Sequence, residues 1–294
     1  MKKLIKYLFF RIAIKIFLFF GGILKKQQLP VASKLLSFIF YILPFPRKKV
    51  AYSNLKIAFS KYDKNQIKDI LKRFIQQSIL TALEVAFAVK RRVELHRWAE
   101  AKGLEYLENA LKKGKGVIAL SAHLGNFPLL IAWLAEKGYP VAVLYKEGKY
   151  LSEGFLHNLI SSFNIYPLAF KSDEDITKEI IKALNKNMIV FLLADQARKG
   201  VYAKFFGKLV QCQKGAFVIA QRKGSPLIPA FIVRDNDIHK IIIYPEMKVN
   251  DDKKTEEKII ELIEKYNLTL ENLIKLYPTQ YYWFHRRFKR MLPH

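Results

Sequence analysis

One cysteine, no acidic residue ahead of Asp63, and no charge-free run long enough to cross a bilayer: these shortages bound what the 294-residue chain is able to do. A lone Cys212 excludes an intramolecular disulfide and suits a reducing compartment. It lies in LVQCQKG among uncharged neighbours, with nothing local to activate a thiolate, and reads as a small packing residue rather than a nucleophile. The histidines outside the core motif (His96, His157, His239, His285 and His294) show no metal-ligand spacing, so no metal is expected.

What is abundant is positive charge. Lys and Arg number 51 against 25 Asp and Glu, a net +26 that calls for a polyanionic partner. Residues 1–62 hold 13 of the basic residues and none of the acidic ones. They are interleaved with bulky apolar side chains in KYLFFRIAIKIFLFFGGIL and LLSFIFYILPF. That mixture fits a surface of anionic lipid better than a nucleic-acid groove, and no nucleic-acid motif accompanies it. Lys6, Arg11 and Lys15 break the first run, leaving residues 16–24 uncharged, about half of the roughly 20 residues a span needs. The second run, residues 35–46, is also short and ends in prolines. Residues 1–46 are therefore expected to form a basic, hydrophobic, membrane-anchoring helical region that dips into or lies in the interface. The positive flanks put the bulk of the chain on the cytoplasmic side. A cleaved signal peptide is disfavoured, because basic residues run through the apolar stretch and no small-residue cleavage site follows.

Residues 47–294 read as one further domain with a helical start to about residue 100. There apolar residues recur at helical spacing, as at Ile67, Ile70, Leu71 and Phe74. From about residue 102 strands and helices alternate. GVIALSAH is a buried strand ending at His123, followed by the helix PLLIAWLAEKG with Gly138 as its stop. YPVAVLYK, NIYPLAF, MIVFLLAD, PLIPAFIVR and HKIIIYPEM are further strands. SEGFLHNLISSF, DITKEIIKALNKN (with Asp175 as its expected cap), KGAFVIAQRKG and TEEKIIELIEKYNLTLENLIKLYP are helices. The expected fold is α/β, a mostly parallel central sheet flanked by helices.

In such sheets the working residues gather beyond the carboxyl ends of the strands. His123 and Asp195 each end an apolar strand. Gly125 and Asn126 then form a turn suited to close ligand approach, and the helix start behind them is a natural anion site.

These residues belong to blocks that resemble a known family. AHLGNF is similar to the AHFGNWE-type block of the lipid A biosynthesis acyltransferases, the lauroyl and myristoyl transferases within the lysophospholipid acyltransferase group. RKKVAYSNLKIAFS, GLEYLENALKKGKGVIALSAHLGN, ADQARKGVYAKFFGK, GAFVIAQRKGSPLIPAFIVR and PTQYYWFHRRFKR (residues 278–290) match further blocks of the family in the same order. The resemblance implies transfer of a fatty acyl group from an acyl carrier protein thioester, or acyl-CoA, to a hydroxyl of a phosphorylated glycolipid, a lipid A precursor, at the cytoplasmic face of the inner membrane. It implies no cofactor. A second glycolipid, such as a phosphoinositol mannoside, is an alternative acceptor.

The family pattern sets an acid five positions after the histidine, and here that position is Pro128. Proline is comfortable in a first helical turn but neither orients an imidazole nor balances its charge. Either the chain has become a non-catalytic lipid-binding protein, or a carboxylate from elsewhere supports the base. The preferred expectation is the second, with His123 as general base and Asp195 as its partner; Glu147, after the strand VAVLYK, is the second choice. Asn126 and Gly125 hold the turn or the acceptor, and helix-start amides stabilise the oxyanion. Lys146, Gln196, Arg198 and Lys199, just past strand ends, are candidates for binding phosphate or the donor. Phe205, Phe206 and Gly207, flanked by Lys204 and Lys208, read as a loop expected to rest on lipid. In the tail, Tyr281, Tyr282, Trp283 and Phe284 read as core, and His285, Arg286 and Arg287 as surface.

Overall fold

The computed structural model describes residues 18–19, 21–91, 94–146, 154–170, 172–197, 200–249, 254–289 and 291. Its strands are β1 (Ala99–Lys102), β2 (Val117–Ser121), β3 (Val141–Lys146), β4 (Tyr166–Phe170), β5 (Ile189–Leu193), β6 (Val201–Phe205), β7 (Lys208–Cys212), β8 (Leu227–Asp235) and β9 (Ile238–Ile243). Its α-helices are α1 (Leu29–Ile42), α2 (Pro46–Ala58), α3 (Lys64–Arg91), α4 (Leu104–Leu111), α5 (Phe127–Glu136), α6 (Phe155–Ser161), α7 (Asp173–Asn185), α8 (Gly215–Lys223) and α9 (Thr255–Leu276).

Seven strands pair in the order β1-β9-β8-β2-β5-β3-β4, and every neighbour is parallel except β8 with β9. Helices cover both faces, which is why β2 is buried at each of its positions and apolar up to its last residue, Ser121. Its side chains alternate between two cores. Val117 and Ala119 join one with α5, while Ile118 and Leu120 join the other with α8 and α9. α5 is buried from Leu129 to Ala135, as expected of a helix apolar on all sides. Each of its leucines removed from water contributes roughly 1.5–3 kcal/mol.

The expected α/β sheet is present, and three local expectations are corrected. Asp175 is not the cap of α7: Ser172 is, and Asp175 closes a capping box by accepting the Ser172 N–H. β6 and β7 form a two-residue hairpin rather than a loop. Its turn residues Phe206 and Gly207 both have positive φ, +50° and +69°, the geometry that matches strand twist. Phe205 is therefore core, fully buried and stacked on Phe288, and Phe206 packs against Phe59.

No single helix among the described residues is long and apolar enough to cross a membrane. The consecutive helical segments Lys26–Ile42 and Pro46–Ala58 meet at 97°. α1 packs on α3 with an inverted polarity. Ser33 and Ser37 face inward, their hydroxyls bonded to the carbonyls of Pro30 and Lys34. Val31, Leu35, Phe38 and Ile42 point outward and are 62, 66, 61 and 64% exposed. Lys48 donates to the Tyr41 and Leu43 carbonyls at the end of α1, satisfying groups that the helix leaves open.

Candidate active site

β2 and β5 run side by side in parallel, with Ser121 opposite Leu193. Past those residues the Ala194 N–H still bonds to the Ser121 carbonyl at 3.0 Å. His123 and Asp195 each lie two residues beyond the paired ends, so the register sets them abreast. The His123 Nδ1 is 2.8 Å from the Asp195 Oδ1, and the His123 N–H donates to Oδ2 at 3.2 Å. Asp195 is fully buried and the His123 side chain 17% exposed, so the carboxylate is sealed behind a ring with an open edge. Burial pushes the Asp195 carboxyl up. The His123 charge and the His123 hydrogen bonds outweigh that and hold it below its ordinary value. An ionised carboxylate on Nδ1 leaves Nε2 free to act as a base, the arrangement of catalytic dyads and triads.

The turn after His123 is fixed from three sides. The Gly125 N–H donates to the Gln280 carbonyl at 2.9 Å, and the Tyr282 N–H to the His123 carbonyl at 2.8 Å, so the C-terminal tail closes over the motif. Gly125 has φ +57°, and a Cβ there would meet the Ile232 carbonyl oxygen at 2.2 Å; only glycine lets β8 come so close. Asn126 caps α5 by accepting the Leu129 N–H and donates from Nδ2 to Glu84 at 2.9 Å. It is 2% exposed, with both ends of its amide engaged, so it holds the turn. Pro128, which has no N–H, and Leu129, whose N–H is taken, also remove two of the helix-start amides expected at the oxyanion.

Glu84, on the buried face of α3, is a site residue that sequence reasoning missed. Its carboxylate meets Asn126, the Arg234 guanidinium at 2.5 Å and the His239 Nε2 at 3.3 Å. Burial pushes its carboxyl up, but the His239 hydrogen bond and the Arg234 charge prevail, and it titrates below its ordinary value. Arg234 also bonds Gln77, and its backbone N–H and carbonyl are both held by the Gln280 side chain at 2.7 Å.

Two cavities meet at this turn. One, of about 330 Å³, is lined by α3 (Gln77, Thr81, Val85), His123, Phe127 and Pro128 among others. The second, of about 200 Å³, is almost wholly apolar, with Val85, Trp98, Pro128, Ile131, Ala132 and Phe163 in its walls. Val85, Phe127 and Pro128 line both, so the two cavities adjoin at these residues. Pro128 makes apolar the spot where the family motif would set a carboxylate.

Other expected residues fall elsewhere. Gln196 is half-buried, with its Nε2 3.4 Å from the His285 Nε2. Lys146 ends β3, but its side chain, like Glu147, Arg198 and Lys199, lies outside the described residues. In the tail Tyr281 and Trp283 are buried, with the Trp283 N–H turned back onto the Tyr281 carbonyl at 3.0 Å, while Tyr282 is 38% exposed. Arg287 is buried rather than at the surface, its guanidinium on the Phe205 ring and within 3.2 Å of the Cys212 Sγ and the Asn267 Oδ1. Cys212 is buried as a packing residue, with that guanidinium as a neighbour that its local sequence does not reveal. Among the described residues, no three His, Cys, Asp or Glu side chains converge as metal ligands would.

The family model described as bacterial lipid A biosynthesis acyltransferase matches residues 1–290. The chain is 22% identical over 263 residues to the lipid A biosynthesis palmitoleoyltransferase of Escherichia coli (strain K12), covering 83% of this chain and 79% of that protein. It is 25% identical over 151 residues to the phosphatidylinositol mannoside acyltransferase of Mycolicibacterium smegmatis (strain ATCC 700084 / mc(2)155), 49% of each chain. A solved 1-acyl-sn-glycerophosphate acyltransferase from Thermotoga maritima aligns at 15% identity with a TM-score of 0.41, over 83% of this chain and 98% of that one. With a family match that spans nearly its whole length, this chain belongs to the bacterial lipid A biosynthesis acyltransferase family and is an acyltransferase.

Proposed function

We propose that the protein transfers a fatty acyl chain from an acyl carrier protein thioester to a hydroxyl of a phosphorylated glycolipid, with His123 as general base and Asp195 as its partner. The observation that carries this reading is the 2.8 Å His123–Asp195 contact at the mouth of an apolar trough. Nε2 of His123 takes the proton of the acceptor hydroxyl, whose oxygen attacks the thioester carbonyl. The tetrahedral intermediate collapses, the C–S bond breaks, and the imidazolium returns its proton to the departing thiolate. Asp195 keeps the ring in the productive tautomer and balances its transient charge. Because the acid follows β5, Pro128 costs nothing chemically and adds an apolar wall where the two cavities adjoin, suited to the acyl chain. This reading stands against a non-catalytic lipid binder, which has no use for a buried carboxylate on the histidine.

Transfer from a panel of carrier-protein thioesters of varied length to a lipid A precursor, with an inositol mannoside as alternative acceptor, tests the proposal. A wild-type protein that binds either glycolipid yet transfers nothing from any donor sinks it. Within the same assay, Ala132→Phe fills the second cavity. It is expected to cut kcat/KM for the longest donor that wild type accepts by about 10–200-fold, the worth of a misfit in an apolar pocket, while shorter donors are unaffected. Equal losses at all lengths would remove that cavity from the acyl path.

The same proposal seats the N-terminal region, residues 1–46, on the membrane. Its support is the outward apolar stripe of α1 beside a stretch without acidic residues. The carrier protein, acidic in this reading, is drawn by the +26 net charge, and its binding weakens as salt rises. Replacing Leu35 and Phe38 together by Glu is expected to reduce co-flotation with anionic vesicles by at least about 10-fold, since each loses a side chain worth of apolar contact. Unchanged flotation would exclude α1 from the contact.

A further inference from the structure

His285 stands beside the base without belonging to the dyad. Both Asp195 oxygens are engaged by His123, through Nδ1 and the backbone N–H. The His285 ring packs edge-on against His123, with centroids 4.5 Å apart and planes at 72°, and against Tyr282 at 4.7 Å. Its place is built rather than incidental. Asn54, 4% exposed on α2, donates from Nδ2 to the Trp283 carbonyl at 2.8 Å and the His285 carbonyl at 2.6 Å. Arg47 donates to the intervening Phe284 carbonyl at 3.5 Å. Gln196, the residue after Asp195, brings its amide to the His285 Nε2.

The ring is also kept uncharged. Burial, then the His123 charge, push it down to about 4, with Asp195 opposing and Arg47 adding to the effect. A neutral imidazole neither competes with His123 for the acceptor proton nor repels the imidazolium that forms there. It offers one donor and one acceptor nitrogen, and Gln196 occupies only the Nε2 side. His285 takes no part in the walls of the trough, whereas His123 and Tyr282 do. His123 thus stands between an apolar side, suited to the acyl chain, and a polar side made by His285 and Gln196.

We propose that His285 and Gln196 form the acceptor subsite, in which the His285 ring hydrogen-bonds the glycolipid hydroxyl and holds it against the His123 Nε2. With centroids 4.5 Å apart, the two rings are close enough for one hydroxyl to reach both. The inference rests on the acyl-transfer reading above.

The test is steady-state kinetics of the full-length protein, with the best carrier-protein thioester and lipid A precursor, varying each substrate in turn. His285→Phe keeps the ring packing and removes the nitrogens. It is expected to raise the acceptor KM about 10-fold, the worth of one hydrogen bond, while the donor KM stays within about 2-fold. His285→Gln, which restores a polar end, is expected to recover most of that loss. Gln196→Ala reads the same subsite without touching the tail packing and is expected to shift the acceptor KM in the same direction. Wild-type kinetics in both His285→Phe and Gln196→Ala would overturn the subsite. So would a fall in kcat with unchanged acceptor KM that Gln fails to rescue, which would make His285 only a prop for the base. Wild type that transfers to no acceptor would instead defeat the proposed function, and this inference with it.

Discussion

Asp195→Asn is expected to lower kcat by about 10²–10⁴-fold, the range over which a positioned general base acts, with donor and acceptor KM little changed. The replacement conserves shape, so the buried site need not collapse. It removes the charge that steadies the imidazolium, and an amide nitrogen facing Nδ1 would favour the wrong tautomer. Single-turnover transfer from a carrier-protein thioester checks this, since it isolates chemistry from product release. His123→Ala should be at least as damaging, and the double variant little worse than either, because the pair acts as a unit. Robust transfer in Asp195→Asn alongside loss in His123→Ala would leave the base and direct attention to Glu147.

The second large effect concerns stability. Glu84→Leu leaves the Arg234 guanidinium, whose side chain is only 12% exposed, without its carboxylate and Asn126 without its acceptor. Removing one partner of such a pair costs about 3–5 kcal/mol, which is a large share of a typical domain's total. Urea denaturation at neutral pH is the measurement, with the midpoint falling at similar slope. The sign of the pH dependence follows. The folded Glu84 carboxyl titrates below its ordinary value, so its stabilisation is complete above the unfolded pKa and lost as pH falls through the folded one. Glu84→Leu should lack this contribution to acid sensitivity. A variant as stable as wild type would mean that the network only replaces what an apolar core would provide.

How much of this was legible beforehand differs from residue to residue. Asp195 as the partner of His123 followed from two apolar strands whose ends carry polar residues, because covered parallel strands expose little else at their carboxyl ends. That β5 lies next to β2 was not written in either segment; it is set by how the intervening helices pack. At Phe205 composition and periodicity disagree. Two phenylalanines between lysines resemble an interfacial loop, yet Val201, Ala203 and Phe205 alternate inward with Tyr202 and Lys204 outward, a strand signal that was present in the letters. Glu84 left a similar trace, a carboxylate at helical spacing among Leu80, Leu83 and Phe87 on a buried face. Its three partners come from distant elements, so no local window names them. Arg287 leaves no local trace. Its burial depends on Phe205, Cys212 and Asn267 converging from a hairpin and a helix.

The split of the dyad between β2 and β5 also bears on how the enzyme assembles. A base and acid on one helical turn would find each other as soon as that turn formed. Here the pair exists only once two strands separated by 72 positions in the chain have zipped together in one alignment. A one-residue slip would carry Asp195 to the opposite face of the sheet. Regain of activity during refolding should therefore lag behind helix formation and coincide with closure of the central sheet, which makes turnover itself a gauge of correct strand alignment.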